Sequence, residues 1–325
     1  MKPYRNVIAA ALMLMLGSVP GAVIAQQKWP TKPVRMIVPF FTGSASDVLG
    51  RILAQRLTEV YGQQIVVDNR PGAGGLIGSE LTLNAAPDGY TIAMVGQPHL
   101  SNVLIREKKP YDPLKDFTSI SLVAYTHNVI VLGKGVNVKN IPELIAMAKA
   151  SPGKLNYGSA GVGSSSHLAG AKFTSKANID VVHVPFRQGP DSRSALLAGT
   201  IQFYIYPLPA IMNLIKGGQL KALAVGGDKR AEALPDVPTT AEAGFGAYQT
   251  ESWFGLIAPR AVSRQIITRL NADTVKVLQE DETRKKFSVQ GAVPGYGSPE
   301  HFAKMQREEY ADLSVLIKQI GMKVQ

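Results

Sequence analysis

The chain has 325 residues, a formal net charge of +11 and no cysteine. No disulfide can form, and a chain of this length can bury a core large enough to fold without one. The composition, 45% hydrophobic and 18% charged, is that of a globular protein and excludes a disordered or low-complexity chain. Basic residues are scattered and no aromatic-interleaved basic motif is present, so we expect no nucleic-acid partner.

The N-terminus has the pattern of a secretory signal peptide. Lys2 and Arg5 precede an apolar run at residues 7–16, and a stretch of small residues ends at Ala25. The apolar run is shorter than the roughly 20 residues that a membrane-spanning helix needs. We therefore expect residues 1–25 to be cleaved near Ala25 and the remaining chain to reach the periplasm as a soluble protein.

Strand-like apolar runs then alternate with amphipathic helical patterns. The first set contains three predicted strands and two predicted helices, at residues 34–38, 65–67 and 91–95 and at residues 49–60 and 76–85. A β-α-β-α-β order of this kind predicts a doubly wound α/β lobe.

A second set of alternating elements predicts a second lobe of the same class. It contains predicted strands at residues 129–132, 181–184, 202–206 and 222–225, and predicted helices at residues 142–150, 165–176, 190–198 and 210–216. A strand at 253–258 and two or three helices follow. Ser298 and Pro299 predict the start of the last helix, and we expect these helices to return to the first lobe.

Two glycine-rich segments imitate nucleotide-binding motifs. In "GAGGLIG", Ile77 stands where the dinucleotide fingerprint requires glycine, and no acidic residue follows at the spacing that would hold a ribose. In "GSAGVGSS", Ser164 stands where the phosphate-binding lysine belongs. We therefore expect neither dinucleotide binding nor nucleotide hydrolysis, and no cofactor.

Two loops nevertheless have the composition of anion sites. Each contains glycines and hydroxyl side chains and leads into a predicted helix, whose free N-terminal amides attract anions. The residues are Thr42, Gly43, Ser44 and Ser46 in one loop, and Ser159, Gly161, Gly163, Ser164, Ser165 and Ser166, ahead of His167, in the other. Helix capping alone also explains any single serine. Together, facing each other across a cleft, the loops would suit a carboxylate.

No catalytic or metal constellation accompanies these loops. The five histidines lack metal-ligand spacing, and no G-x-S-x-G elbow is present. Asp47 is explained by the helix dipole at least as well as by acid–base chemistry. Arg187 is a candidate ligand contact because it follows a predicted strand at the edge where open α/β sheets bind ligands. We expect neither enzymatic activity nor a bound metal.

Several consecutive motifs resemble one known family. They include "TGSASDVLGR", "VVDNRPGAGGLIGSE", "YGSAGVGSSSHLAG", "HVPFRQG", "LPDVPTTAEAGF" and "SWFGLIAPRAV". In this order, and over nearly the whole chain after the signal sequence, they resemble the Bug-type solute-binding proteins of tripartite tricarboxylate transport systems.

The resemblance implies a periplasmic-binding-protein fold, in which two doubly wound lobes are joined by two hinge crossings with the ligand cleft between them. Residues 26–125 and 251–325 would form lobe 1, and residues 126–250 would form lobe 2. The crossings would lie near residues 122–129 and 248–255.

The resemblance also implies which residues contact the ligand. They are Phe41, Thr42, Gly43, Ser44, Ser46, Asp47, Ser159, Gly163, Ser164, Ser165, His167, Arg187, Gly189 and Tyr206. This chain departs from the family pattern at Ser44, where a second glycine is usual, and at residues 204–206, where an acidic or amide residue is common. The second departure disfavours an amino-acid ligand, because its ammonium group would want a carboxylate partner.

The implied function is capture of a small organic carboxylate, either a di- or tricarboxylate or an aromatic carboxylate, and its delivery to the membrane subunits of a secondary transporter. A monomer is expected because a closing cleft needs free lobes. Two alternatives stay open: presentation of the loaded ligand to a sensor in signalling, and, with no visible nucleophile to support it, an exported hydrolase of carboxylate esters.

Overall fold

The computed structural model describes residues 29–187, 189–246, 248 and 250–323. The predicted signal peptide lies outside the described residues. Within the described part of the chain, no helix combines the length and apolar character needed to cross a bilayer.

The described residues form ten strands and ten α-helices. The strands are β1 (Val34–Val38), β2 (Ile65–Asn69), β3 (Thr91–Gly96), β4 (Phe117–Leu132), β5 (Asn156–Ser159), β6 (Val182–Pro185), β7 (Phe203–Pro207), β8 (Lys221–Val225), β9 (Glu251–Pro259) and β10 (Ala292–Pro294). The helices are α1 (Ala45–Tyr61), α2 (Leu76–Leu83), α3 (Pro98–Leu104), α4 (Ile141–Ala150), α5 (Ser165–Ala177), α6 (Gly189–Ala198), α7 (Met212–Lys216), α8 (Arg264–Gln279), α9 (Asp281–Val289) and α10 (Pro299–Gln319).

One mixed sheet has the strand order β2-β1-β3-β9-β4-β7-β5-β6, with β8 and β10 also paired to β4. The strands β2-β1-β3 are parallel, as are β6-β5-β7, and each set is joined to an antiparallel neighbour, β9 or β4. Each half therefore has the same local topology, with β1 and β5 at equivalent central positions. This is the two-lobed α/β fold that the sequence predicted.

β4 runs through both halves of the sheet. Its residues Phe117 to His127 pair with β9, and its residues Asn128 to Leu132 pair with β7. The change of partner falls inside the range predicted for the first hinge crossing, residues 122–129. The predicted lobe boundaries themselves stay a prediction.

In the second half of the sheet, β7 and residues 128–132 of β4 are buried on both faces, which explains why these two strands read as apolar or aromatic runs. Val129 and Val131 pack into one hydrophobic cluster with α6 and α7 residues, whereas Ile130 and Leu132 pack into another with α4 and α5 residues. Side chains alternate along a strand, so β4 contributes to both clusters at once.

Helix α1 follows the predicted amphipathic pattern. Leu49, Leu53 and Leu57 are completely buried, and burial of each stabilises the fold by about 1.5–3 kcal/mol. The helix ends where Gly62 adopts a φ of 63° and donates its N–H to Thr58 O at 2.9 Å. That left-handed conformation is one that glycine adopts without steric cost.

Two of the C-terminal helices pack against the sheet and against helices of the N-terminal part of the chain. α8 and α10 pack against β4, and they also contact α1 and α3 respectively. Ser298 caps α10 by accepting the His301 N–H at 3.2 Å, which confirms the predicted start.

Candidate functional site

A cavity lies where β1, β3, β5 and β7 end and β9 begins. β9 reaches this edge because it runs antiparallel to β3, which places Phe254 opposite Gly96. The cavity is lined by Phe40, Phe41, Ser44, Ala45, Ser46, Gly96, Gln97, Pro98, Ala160, Ser165, Ser166, Tyr204, Tyr206, Pro207, Ala210, Ser252, Trp253 and Phe254. The cavity volume is about 40 Å³. Both sets of parallel strands therefore point their carboxyl ends at one shared cavity, at the sheet edge where α/β folds bind ligands.

The first loop connects β1 to α1 and is held by its own side chains. Gly43 has a φ of 80°, and its N–H donates to Asp47 Oδ2 at 2.8 Å. The Ser44 hydroxyl accepts the Asp47 N–H at 3.3 Å and lies 3.2 Å from the Ser46 hydroxyl. Asp47 is buried, and its Oδ1 pairs with Arg51 at 2.9 Å. The loop is a variant of the capping box, closed by a charged residue.

The second loop connects β5 to α5 and repeats this geometry with a different closing residue. Gly163 has a φ of 81°, and its N–H donates to His167 Nδ1 at 3.1 Å. The Ser164 hydroxyl accepts the His167 N–H at 3.3 Å and lies 3.1 Å from the Ser166 hydroxyl. Histidine thus takes the place that aspartate has in the first loop.

Both helices present free amides to the cavity. The first amides of an α-helix have no acceptor within the helix. Serine satisfies the amides of Asp47 and His167, which leaves the first two amides of each helix without an intrahelical acceptor: Ala45 and Ser46 in α1, and Ser165 and Ser166 in α5. All four of these residues line the cavity. With the partial positive charge of each helix N-terminus, this arrangement attracts an anion.

His167 stacks on His183 beneath the second loop. The ring centroids are 3.9 Å apart and the planes differ by 4°, and the Ser159 hydroxyl lies 2.6 Å from His183 Nε2. Burial, followed by the charge of His183, lowers the pKa of His167 to about 3, and burial lowers the pKa of His183 to about 4. Both rings are therefore neutral near pH 7, and a neutral His167 can accept the Gly163 N–H at Nδ1.

Tyr204 and Tyr206 form the floor of the cavity on β7. They lie two residues apart and so share a face of the strand, where their rings stack with centroids 3.5 Å apart. The Tyr206 hydroxyl is hydrogen-bonded to the Ser192 hydroxyl, and the Tyr204 hydroxyl lies 3.4 Å from the Ser166 hydroxyl. Burial raises the pKa of both phenols above the usual value of tyrosine, so both are neutral.

The predicted site residues fall into three groups in the structure. The first group lines the cavity and consists of Phe41, Ser44, Ser46, Ser165 and Tyr206. The second group shapes the loops or their support and consists of Gly43, Asp47, Ser159, Gly163, Ser164, His167 and Gly189. At Gly189, the Phe41 ring occupies the space that a Cβ would fill.

The third group, Thr42 and Arg187, is exposed. The Thr42 hydroxyl donates to Asn69 Oδ1 at 3.3 Å. Arg187 is absent from the cavity lining that the described residues form. Arg193 lies beside the first loop, since a Cβ on Gly43 would be 3.8 Å from Arg193 Nη1.

Sequence reasoning missed much of the cavity wall. The residues it did not name include Gly96, Gln97, Pro98, Pro207, Ala210, Ser252, Trp253 and Phe254. The segment after β3 had a usable signal, because all parallel strands of a lobe end at the same edge. The β9 residues had no such sequence signal, since only the antiparallel pairing of β9 with β3 brings them to the cavity.

Comparison with known proteins agrees over nearly the whole chain. Residues 49–322 match the family model described as tripartite tricarboxylate transporter family receptor. Protein BugT of Bordetella pertussis is 31% identical over 306 residues, covering 94% of each chain.

Two solved structures of Rhodopseudomonas palustris proteins are similar in fold. Rpa4515, described with adipate, is 34% identical with a TM-score of 0.88, covering 91% of this chain and 99% of that one. MatC, described with bound malate, is 27% identical with a TM-score of 0.84, covering 89% of this chain and all of that one. The chain therefore belongs to the tripartite tricarboxylate transporter receptor family, whose Bug-type members are solute-binding proteins.

Proposed function

We propose that this protein is a periplasmic solute-binding protein that captures a small organic carboxylate and delivers it to the membrane subunits of a tripartite tricarboxylate transporter. The observation that carries the proposal is the pair of capped helix N-termini, α1 and α5, which line one cavity from the two halves of the sheet.

The chemistry of this pair suits a carboxylate. A carboxylate has two oxygens and about four lone-pair sites, and the first turns of α1 and α5 offer four amides with no acceptor in their own helices. Hydrogen bonds to a charged group contribute about 1.5–3 kcal/mol each. Ser46 and Ser166 also line the cavity, and their hydroxyls lie 3.2 Å and 3.1 Å from those of Ser44 and Ser164.

Contacts between the predicted lobes indicate how the ligand would be enclosed. The Ser101 hydroxyl, on α3 in predicted lobe 1, donates to Gly163 O in predicted lobe 2 at 2.9 Å. Asn102 Nδ2 donates to Gly74 O at 2.9 Å, and Gly74 in turn packs against Val162 O. These contacts hold the second loop against predicted lobe 1, and we propose that ligand release requires them to break.

The related structures support the carboxylate. Adipate and malate, the ligands of Rpa4515 and MatC, are both carboxylates. We propose that the twelve sequence-predicted residues that line the cavity or shape its two loops, together with the β3, β7 and β9 residues of the lining, form the binding site.

Calorimetric titration of the protein without residues 1–25 tests this proposal. Each carboxylate is compared with the carboxamide of the same skeleton, which keeps the shape and removes the charge. Saturable one-to-one binding of a carboxylate, with at least ten-fold weaker binding of its amide, is the expected result. Equal affinity for acid and amide throughout a panel of mono-, di- and tricarboxylates would overturn it.

The transport role needs a separate measurement. Uptake of the bound carboxylate by cells with the membrane subunits should require this protein and fall to background when it is deleted. Unchanged uptake in the deletion strain would instead favour the signalling alternative.

A further inference from the structure

Charged side chains are absent from the cavity lining formed by the described residues. None of the eighteen lining residues is Asp, Glu, Lys, Arg or His, and the two phenols, Tyr204 and Tyr206, are neutral. A carboxylate or ammonium group that enters such a wall loses its water without gaining an opposite charge, which is energetically unfavourable. Away from the two helix N-termini, a second charged group on the ligand finds no counter-charge.

The remaining polar side chains of the lining have already used donors on protein partners. The Ser252 hydroxyl donates to Asn128 Oδ1 at 2.9 Å, and Gln97 Nε2 donates to Glu309 Oε1 at 2.6 Å. Trp253 Nε1 is buried with no acceptor among the described residues. One neutral N–H suits a neutral acceptor on the ligand, whereas a second carboxylate needs several donors or a cation.

A cation lies beside the first loop. Arg193, half-buried on α6, is the side chain that a Cβ on Gly43 would approach. Burial raises the pKa of Tyr206, and the positive charge of Arg193 opposes that rise. The charge of Arg193 therefore acts on the cavity floor, where Tyr206 lies. The Arg193 side chain and the two helix N-termini together supply positive charge for one carboxylate of the ligand.

The rest of the wall is apolar and aromatic. Phe40 and Phe41 come from the first loop, Trp253 and Phe254 from β9, and they are joined by Pro98, Pro207 and Ala210. Such a surface stabilises the hydrocarbon part of a ligand by removing it from water.

From these observations we propose that the ligand is a monocarboxylate with an apolar body. Its carboxylate lies at the N-termini of α1 and α5, its body lies against the aromatic wall, and it has no second charge. This inference rests on the proposed function and narrows it, since it excludes di- and tricarboxylates and amino acids as the preferred ligands.

Matched ligand pairs on the unaltered protein without residues 1–25 provide the test. In two pairs, hexanoate with adipate and benzoate with terephthalate, the members differ only in a second carboxylate. In the third pair, 3-phenylpropanoate and phenylalanine differ only in the ammonium group. We expect calorimetry to show the singly charged member of each pair binding at least ten-fold more tightly.

Equal or tighter binding of adipate, terephthalate and phenylalanine would overturn this inference and leave the proposed function standing. Failure of every carboxylate to bind would overturn both.

A variant provides an independent check. Ala210→Lys adds a cation to the apolar wall and should raise the adipate affinity relative to hexanoate at least ten-fold, whereas the uncharged control Ala210→Met should not. If the lysine variant does not fold, the ligand pairs measured on the unaltered protein still test whether a second charge weakens binding.

Discussion

The β1–α1 loop and the β5–α5 loop have the same backbone geometry but are closed by different side chains. Both place glycine at a φ near 80°, a serine N-cap next and a second serine two residues later. Both also return the third helical residue to the glycine N–H. In the first loop that residue is Asp47, paired with Arg51, and in the second it is His167, stacked on His183.

The two loops share a backbone geometry but differ in the charge of the side chain that closes them. Equivalent backbone shapes arise because both loops follow the central strand of a β-α-β unit, where the chain must turn sharply into a helix. The closing residue is free to vary, since either a carboxylate oxygen or a neutral imidazole nitrogen can accept one N–H. The second loop is therefore the one expected to respond to acid and to the position of the other lobe.

The largest expected difference between the two loops is in the stability lost when Gly43 or Gly163 is replaced by alanine. Alanine at either position is strained by the positive φ, which costs about 1–2 kcal/mol. At Gly163 the added Cβ would also lie 2.7 Å from Asn102 Oδ1, and Asn102 is pinned because its amide donates to Gly74 O and Pro98 O. At Gly43 the nearest atom is 3.8 Å away. We expect Gly163→Ala to lose about 3 kcal/mol in urea denaturation and most ligand affinity, and Gly43→Ala about 1 kcal/mol.

Equal losses in the two alanine variants would show that the contact between Asn102 and the second loop does not distinguish them. Gly62→Ala provides a control with a φ of 63°, no atom within 4 Å and a position outside the site.

The next effect is on pH dependence. The folded-state pKa values of His167 and His183, about 3 and about 4, lie below the ordinary value of 6.5, so folding favours the neutral rings. Their contribution to stability is complete above pH 6.5 and is lost as the pH falls from 6.5 towards 4 and 3. By pH 5 this loss is about 1–2 kcal/mol for each ring.

Urea denaturation of the protein and of His167→Asn at pH 7, 6 and 5 measures this effect. The asparagine oxygen can still accept the Gly163 N–H but does not titrate, so the variant should lose less stability than the unaltered protein between pH 7 and 5. Parallel pH profiles for the two proteins would contradict the assignment.

The smallest expected effect separates two arginines. Arg193→Leu should weaken carboxylate binding about five-fold, because it removes the cation beside Gly43, and the effect should shrink at high salt. Sequence reasoning favoured Arg187, which is exposed, so Arg187→Leu is the matched comparison. A larger loss of affinity from the Arg187 variant would restore the sequence-based assignment.

The fold was predictable where a single apolar run defined a strand. Residues 34–38 and 91–95 were recognised because both faces of these strands are buried. Only residues 129–132 of β4 were predicted, because Thr118, Ser119 and Ser121 interrupt the apolar pattern in its first part. β5 was missed altogether, since Asn156–Ser159 is short and polar and is defined by its pairing with β6 and β7.

The site was predictable where its signal was local. The glycine and serine pattern of each loop is readable in six residues, which is why both loops were found. Tyr204, Gln97 and Trp253 enter the cavity only because separate strands end or begin at one edge of the sheet. The difference between Arg187 and Arg193 was equally invisible, because Arg187 precedes α6 whereas Arg193 lies on the part of α6 that approaches the first loop.

The central claim is that free amides at the starts of α1 and α5 hold the ligand carboxylate. Ala45 and Ser165 are the first residues of these helices, a position where proline is tolerated and where it removes the amide N–H. Calorimetry on Ala45→Pro and Ser165→Pro, with Arg264→Pro at the start of α8 as the control and Ser165→Ala as the side-chain control, tests the claim directly. We predict at least ten-fold weaker carboxylate binding in both site variants and unchanged binding in the α8 control. Unchanged affinity in both site variants would contradict the account.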